Sequence, residues 1–260
     1  MRKITKLAQF TEAVLRLCER WDRLNTTTHP WFRGQANESW DLMPRLYRSG
    51  ENAEFEREMV RDFRLRGSAY MDRVPIDRVT WLFVMQHYGL PTRLLDWTES
   101  YLVALFFAVQ NDDQAADAAA WILEPWSLNE VSDLNIGQTV PTSNVSIFDE
   151  YYTRDVDSLD IKRKVTGAFP LAVRPSRSTP RIVAQRGMFT IHGCEKVSLH
   201  NYAQKHGKSI QLEKIAIEGK ARSSLKKELH LAGVSSSSLF PDLEGLSKEI
   251  HYRYSKAFVW

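Results

Sequence analysis

Gln86-His87-Tyr88-Gly89-Leu90-Pro91-Thr92-Arg93-Leu94-Leu95-Asp96-Trp97-Thr98-Glu99-Ser100-Tyr101-Leu102-Val103-Ala104-Leu105-Phe106-Phe107-Ala108-Val109 sets a His, an Arg, an Asp, a Trp and a Thr between two apolar segments, across a Gly-Leu-Pro turn. Polar groups held that close to a core must be hydrogen-bonded or paired, because burying them alone is costly. Gly89 allows positive φ, Pro91 fixes its own φ, and Leu90 is steered away from helix by the proline that follows. The run Tyr101 to Val109 is apolar all round, which predicts a helix buried on every side rather than an amphipathic one. Thr98 or Ser100 is its candidate N-cap. A buried element with a polar knot at its N-terminus is either the foundation of a site or a well-satisfied core.

Upstream, residues 7–24 carry Phe10, Val14, Leu17, Cys18 and Trp21 at helical spacing and predict an amphipathic helix lying on the body of the protein. Trp31-Phe32-Arg33-Gly34-Gln35 is a short β-prone run holding an Arg and punctuated by Gly. Residues 52–73 read as one charged helix with Phe55, Met59, Phe63 and Arg66 along one side, and 77–88 as a second helix. Downstream, Ala118 to Leu123 predicts a buried strand stopped near Pro125. Residues 126–160 are rich in Ser, Thr, Asn and Asp and are expected to be irregular, as a functional loop or cover. Phe169 to Val173 and Ile210 to Ile217 suit strands, residues 181–191 suit two short strands around Gly187, Lys220 to Ala232 suits a helix, and Ser235–Ser238 suits a break. Helices first and several strands later give an α+β class: a single domain with a mixed or antiparallel sheet flanked by helices.

At 260 residues, 43% hydrophobic and 26% charged, the composition is that of a globular protein with a sizeable core. A net charge of +3 does not by itself argue for nucleic acid. Residues 171–230, however, hold twelve Lys or Arg against four Glu. That excess suits either a solvated face or an anionic partner, and Arg174, Arg177, Arg181 and Arg186 head it. Two distant cysteines, Cys18 and Cys194, suggest packing thiols in a reducing compartment. The basic start Met-Arg-Lys-Ile-Thr-Lys is not followed by an apolar segment, and no run has the length of a membrane span, so a cytoplasmic protein with no membrane partner is expected. The seven His show no metal-ligand spacing, and there is no Gly-rich phosphate loop, His-Glu-x-x-His, Cys-x-x-Cys or Gly-x-Ser-x-Gly, so no metal is expected. Three polar islands remain: Arg33/Gln35, His87–Thr98 and Gln185–Thr190.

The islands carry a resemblance. Trp31-Phe32-Arg33-Gly34-Gln35, Leu42-Met43-Pro44-Arg45-Leu46-Tyr47-Arg48, the block Gln86 to Thr98 and Val103 to Ala108 resemble the FRG domain family, named for its Phe-Arg-Gly motif. Arg181-Ile182, Gln185-x-Gly187-x-Phe189-Thr190 and Ser238 to Gly245 resemble its later strand and its C-terminal end. The resemblance divides the chain into a helix at 1–28 packed on the body, a domain at 29–245 and a tail at 246–260. That family's pattern is in turn similar to ADP-ribosyltransferases, whose fold the domain would share. The implied activity is an NAD-dependent ADP-ribosyltransferase toxin that modifies nucleic acid, mRNA included, in phage defence. NAD would be a substrate, RNA the acceptor, and an antitoxin protein the partner, with a chaperone as a further one. Arg33-Gly34 would be the first motif of such enzymes, Trp97-Thr98 with the following helix the second, and Gln185 stands where the third places a catalytic Glu. Gln cannot act as a general base, so the chain departs from the pattern there.

The chemistry implied can be assigned to residues. Cleaving nicotinamide from NAD passes through an oxocarbenium-like state, so a site must clamp the diphosphate and ribose and stabilise positive charge. The candidate catalytic set is Arg33, Asp96, Thr98 and Gln185. The candidate NAD-binding set is Phe32, Gly34, Gln35, His87, Tyr88, Arg93, Trp97 and Phe189, in which Arg93 offers bidentate donors and the aromatics stacking surfaces. Each has a structural alternative. Arg93 and Asp96, three apart, can form an internal ion pair. Arg33 can pair with Asp96 or a backbone carbonyl, His87 and the aromatics can be core, and Thr98 can be only a cap. The chain as a whole can be a non-catalytic nucleic-acid or phosphate-ligand binding module of a defence system.

Overall fold

The computed structural model describes residues 3–22, 29–48, 53–72, 74–111, 116–132, 137, 139–142, 169–177 and 179–255. The chain is α+β. Its helices are α1 (Leu7–Asp22), α2 (Arg45–Arg48), α3 (Glu56–Gly67), α4 (Arg78–His87), α5 (Tyr101–Val109), α6 (Pro125–Ser132), α7 (Pro180–Ala184), α8 (Leu199–His206), α9 (Arg222–Leu231), α10 (Ser236–Leu239) and α11 (Leu243–Arg253). Its strands are β1 (Trp31–Gln35), β2 (Leu94–Thr98), β3 (Ala118–Leu123), β4 (Leu171–Val173), β5 (Gly187–Ile191) and β6 (Leu212–Ile217). They form one sheet in the order β4-β5-β2-β1-β3-β6, with every neighbouring pair antiparallel. No helix among the described residues is long and apolar enough to cross a membrane.

The period of two along the strands sorts the core into three clusters. On one face, Phe32, Ala120, Ile122 and Ile215 pack under α1, α5 and α9. Farther along that face, Leu94, Leu171, Val173, Phe189 and Ile191 pack under Val60 of α3 and the apolar side of α4. The opposite face buries Trp31, Leu95, Trp97, Trp121 and Met188 against α6 and α8. Residues 96 and 98 of β2 share the face of Leu94, at the seam between the two helix groups. There Asp96, in an apolar strand, is exposed.

That seam opens because β1 and β2 barely pair. The strand β1 keeps five register pairs with β3, from Trp31↔Leu123 to Gln35↔Ala119. Toward β2 it keeps Phe32↔Thr98 alone. Over the same strand, α5 packs closely on Gly34. A Cβ at position 34 would fall on the Ala104 carbonyl oxygen and 2.5 Å from the Ala108 nitrogen, so α5 lies on β1 backbone to backbone.

Several sequence expectations are corrected. The 181–191 stretch is not two strands: Thr179 Oγ1 accepts from Ile182 N, Pro180 occupies the first turn, and this cap starts α7 before β5 begins at Gly187. Charged helix 52–73 is interrupted, with 3₁₀ turns at Ala53–Phe55 and Ser68–Tyr70 around α3. Its buried positions are Glu56 and Val60, while Phe55 is exposed, because an ion pair rather than an aromatic stripe fixes the face. Pro125 starts α6 instead of opening an irregular segment, and Glu124 accepts from Trp126 N and Ser127 N to cap it. Of the remainder of the expected cover, 133–136, 138 and 143–160 lie outside the described residues. Ser235 to Ser238 form a capping box that begins α10 rather than a break. The tail at 246–260 begins inside α11. Ser100 is the N-cap of α5, accepting from Val103 N, while Thr98 is used elsewhere.

Candidate functional site

Where β1 and β2 part, a cleft of about 390 Å³ opens, within the size range of sites that hold small-molecule ligands. One wall comes from the end of α4 (Gln86, with Gly89 and Leu90), the other from the end of α5 (Phe107, Gln110 and Asn111). The floor is the two strands, and Trp40, Arg45, Arg48, Arg181 and Gln185 complete the rim. Arg33, Asp96 and Gln185, far apart in sequence, line this one cavity.

Arg33 bridges the parting strands. Its Nη1 donates to the Asp96 carbonyl at 2.7 Å and lies 3.7 Å from Asp96 Oδ2. Both sequence alternatives for Arg33, carboxylate and carbonyl, are thus met at one residue. Burial lowers its pKa to about 10, with the nearby Arg48 cation acting the same way and Asp96 opposing, so it stays cationic at neutral pH. Its Nε is buried with no hydrogen-bond partner among the described residues. A buried N–H left that way is expensive unless something completes it.

Asp96 is set by a relay from behind. Thr92 Oγ1 donates to Gln86 Oε1 at 2.5 Å, and the Gln86 Nε2 then donates to Asp96 Oδ2 at 3.0 Å. The carboxylate nonetheless stays largely exposed to the cleft, with 58% of its side chain accessible. Around this one carboxylate, four arginines line the cavity: 33, 45, 48 and 181. Burial lowers the pKa of Arg48, whose Nε donates to Met43 O, and Arg45 Nη1 donates to Gly89 O. The Arg181 guanidinium lies 4.8 Å over the Phe240 ring. The cleft therefore favours an anion.

The remaining candidates divide. Thr98 donates to the Gln185 carbonyl at 2.7 Å and accepts from Ser100 N, so its hydroxyl ties β2 to the turn after α7. Gln185 Nε2 donates to Leu239 O at 3.2 Å. Gln35 accepts from Trp121 Nε1 at 2.7 Å and donates to Asp41 O. Trp97 lines the cleft but its Nε1 donates to Thr190 Oγ1. Phe32 and Gly34 form the floor beneath α5.

Four of the NAD-binding candidates lie outside the cleft. Arg93 does not pair with Asp96: its Nε donates to Glu56 Oε1 at 2.7 Å and its Nη2 to Glu56 Oε2, both side chains buried. Phe189 stacks on Phe83 within the core, ring centroids 4.5 Å apart. His87 and Tyr88 pack edge to face on each other beyond the end of α4, with Tyr88 mostly in water. Of the basic candidates only Arg181 lines the cavity. Arg177 pairs with Glu99 at 3.5 Å, the Arg186 carbonyl accepts from Glu99 N, and Arg174 sits at the end of β4, its N bonded to Pro141 O. Among the described residues no cluster of His, Cys, Asp or Glu could hold a metal ion.

The family comparison covers part of this cleft. Residues 28–117 match the FRG domain. The FRG stretch supplies Arg33, Trp40, Arg45, Arg48, Gln86 and Asp96, and hence both strands of the seam, while Arg181 and Gln185 come from beyond it. No curated protein and no solved structure matches the chain. Trp40, Arg45, Arg48 and Gln86 are cleft residues that the sequence reading left unassigned. The three-residue spacing of Arg45 and Arg48, one helical turn apart, was the available signal.

Behind the seam, His192 is fully buried, with Thr190 Oγ1 at 3.3 Å from its Nε2. Burial, with the Arg33 and Arg93 cations adding to it, pushes its pKa from 6.5 down to about 3. The folded protein thus keeps this ring neutral where the unfolded chain would protonate it, so stability falls as pH drops below the unfolded value. His192 contributes a slope of about 1.4 kcal/mol per pH unit below roughly pH 6, to which His87 and His200, also lowered by burial, add in the same sense. Urea unfolding at pH 6.5, 5.5 and 5.0 measures it. This window lies above the range of Glu249, whose carboxyl the Ser235 and Ser237 hydroxyls hold at about 2. A His192→Leu variant should show a markedly flatter profile, and an unchanged slope would show that His192 does not set the pH dependence.

Proposed function

We propose that the chain is an NAD-dependent ADP-ribosyltransferase of toxin type, with an ADP-ribosyltransferase-like fold, that modifies nucleic acid in phage defence. The observation that carries this reading is the convergence of Arg33, Asp96 and Gln185 on one arginine-lined cleft. In it the diphosphate of NAD lies against Arg33, Arg45 and Arg48, and a phosphate or ribose oxygen completes the buried Arg33 Nε. The nicotinamide–ribose bond breaks with its electron pair going to nicotinamide, and the Asp96 carboxylate faces the cation left at the anomeric carbon. A nucleophile of the acceptor then bonds that carbon, and its proton passes to Asp96 or to water. Gln185 spends its Nε2 on Leu239 O and keeps Oε1 for a ribose hydroxyl. Arg181 on the rim draws an RNA acceptor by its charge. A toxin of this kind, acting in the cytoplasm, calls for an antitoxin protein, and a chaperone is a further partner.

The test is incubation with NAD labelled on the adenylate, with total RNA or with protein as acceptor. Label is expected on RNA, with Asp96→Asn reducing the rate about a hundredfold or more. Salt-sensitive RNA binding with no NAD turnover on any acceptor would favour the non-catalytic module, a reading supported by the absence of a carboxylate at position 185.

A further inference from the structure

We infer that the outer wall of the cleft is a nucleotide subsite: a base stacks on Trp40, and the phosphate of the same nucleotide sits on Arg45 and Arg48. This rests on the cleft holding phosphate, as proposed above, and not on the transfer chemistry.

Among the described tryptophans, Trp40 is the exposed one, at 49%, whereas Trp126 is half-buried and Trp21, Trp31, Trp81, Trp97 and Trp121 are buried. A solitary exposed aromatic is ordinary on a protein surface. Trp40 is not solitary in that sense, because it lines the cavity together with Arg33, Arg45 and Arg48. No ring–ring or cation–ring contact engages its indole among the described residues, whereas Trp81 and Trp121 are each engaged by both. An aromatic face next to guanidinium groups is the pairing that binds a nucleotide, the base by stacking and the phosphate by charge.

The loop that presents Trp40 is built rather than slack. Asn37 Oδ1 accepts from Ser39 N at 2.9 Å and from Ser39 Oγ at 2.7 Å. Trp40 N donates to Asn37 O, and Glu38 N donates to Asp117 O at 2.8 Å. Gln35, itself held by Trp121, reaches Asp41 O. These bonds hold the backbone that presents the ring before any ligand arrives, so little loop ordering remains to be paid on stacking. The unpartnered, buried Arg33 Nε in the same cavity is the second feature that calls for a ligand.

Two sources could supply the nucleotide, the adenylate half of NAD or a nucleotide of an RNA acceptor, and both present the same base-plus-phosphate chemistry. The experiment is calorimetric titration of the full chain with 5′-AMP, ribose 5-phosphate, NAD and a short oligoadenylate. AMP is expected to bind at least about tenfold more tightly than ribose 5-phosphate, and Trp40→Ala should weaken AMP about tenfold or more. Trp40→Phe keeps a stacking face and should retain most of the affinity, which a purely structural role for the residue would not predict. When AMP binding is weakened in Trp40→Ala, a parallel loss for NAD but not oligoadenylate assigns the subsite to the dinucleotide, and a parallel loss for oligoadenylate but not NAD assigns it to the acceptor. AMP affinity unchanged within twofold in Trp40→Ala, or equal binding of AMP and ribose 5-phosphate, overturns the inference. Trp40-dependent AMP binding in a protein that turns over no NAD would leave it standing while the transferase reading fell.

Discussion

Replacing Glu56 with alanine is expected to lower the unfolding free energy by about 3–5 kcal/mol. Glu56 opens α3 and its two oxygens receive Arg93 from the start of β2, with side-chain exposures of only 9% and 6%. Desolvating both charges costs much of what their attraction returns, so the pair is a poor net stabiliser relative to an apolar contact. Removing one partner is another matter, because it takes from a buried guanidinium beside His192 the carboxylate that receives its Nε and Nη2. Three variants separate these effects. Glu56→Ala should be severely destabilised, and Glu56→Gln less so, since an amide oxygen still accepts. A Glu56→Leu/Arg93→Met double variant should recover much of the loss. Urea denaturation reads all three, and a double variant as unstable as Glu56→Ala would show that the pair is a net stabiliser here.

Gly34→Ala is expected to be of comparable severity, about 3 kcal/mol or more, at the top of the range for an overfilled site. Most overpacking is relieved by a flexible side chain swinging aside. Here the added methyl meets the Ala104 carbonyl and the Ala108 nitrogen, both backbone atoms of α5. Relief requires the whole helix to lift from β1, which would undo the cluster of Phe32, Val103, Ala104 and Ala108 and move the cleft wall at Phe107. A soluble, native-like Gly34→Ala protein with an unchanged urea midpoint would contradict this packing.

How far the fold could be read from sequence follows from where the signal lies. The buried helix at 101–109 and the strands at 31–35 and 118–123 were legible because their apolar content is local and continuous. The start of α7 is written in Thr179-Pro180, a cap and a first-turn proline, next to a β-prone Ile182-Val183 pair that by itself suits a strand. Arg93 reads as a site residue in sequence because its partner, Glu56, is 37 residues away and no periodicity links them. Phe189 stands near Gln185 in sequence, whereas strand pairing with β2 turns it onto Phe83. Arg33, Asp96 and Gln185 were legible as polar islands in apolar surroundings. Trp40 and Arg48 gain meaning only from the parting of β1 and β2, which follows from a chain-wide topology rather than from any window of residues.

The central physical claim is that the seam between β1 and β2 is an anion-binding cleft whose floor charge is Arg33. Calorimetric titration of NAD into the wild-type chain and into Arg33→Ala, each with its fold verified by circular dichroism, tests it most directly. Saturable one-to-one binding is expected for the wild type, weakened about tenfold or more by the substitution and reduced as salt rises. Folded wild-type protein that does not bind NAD, or an Arg33→Ala protein that binds it as tightly, would contradict the claim.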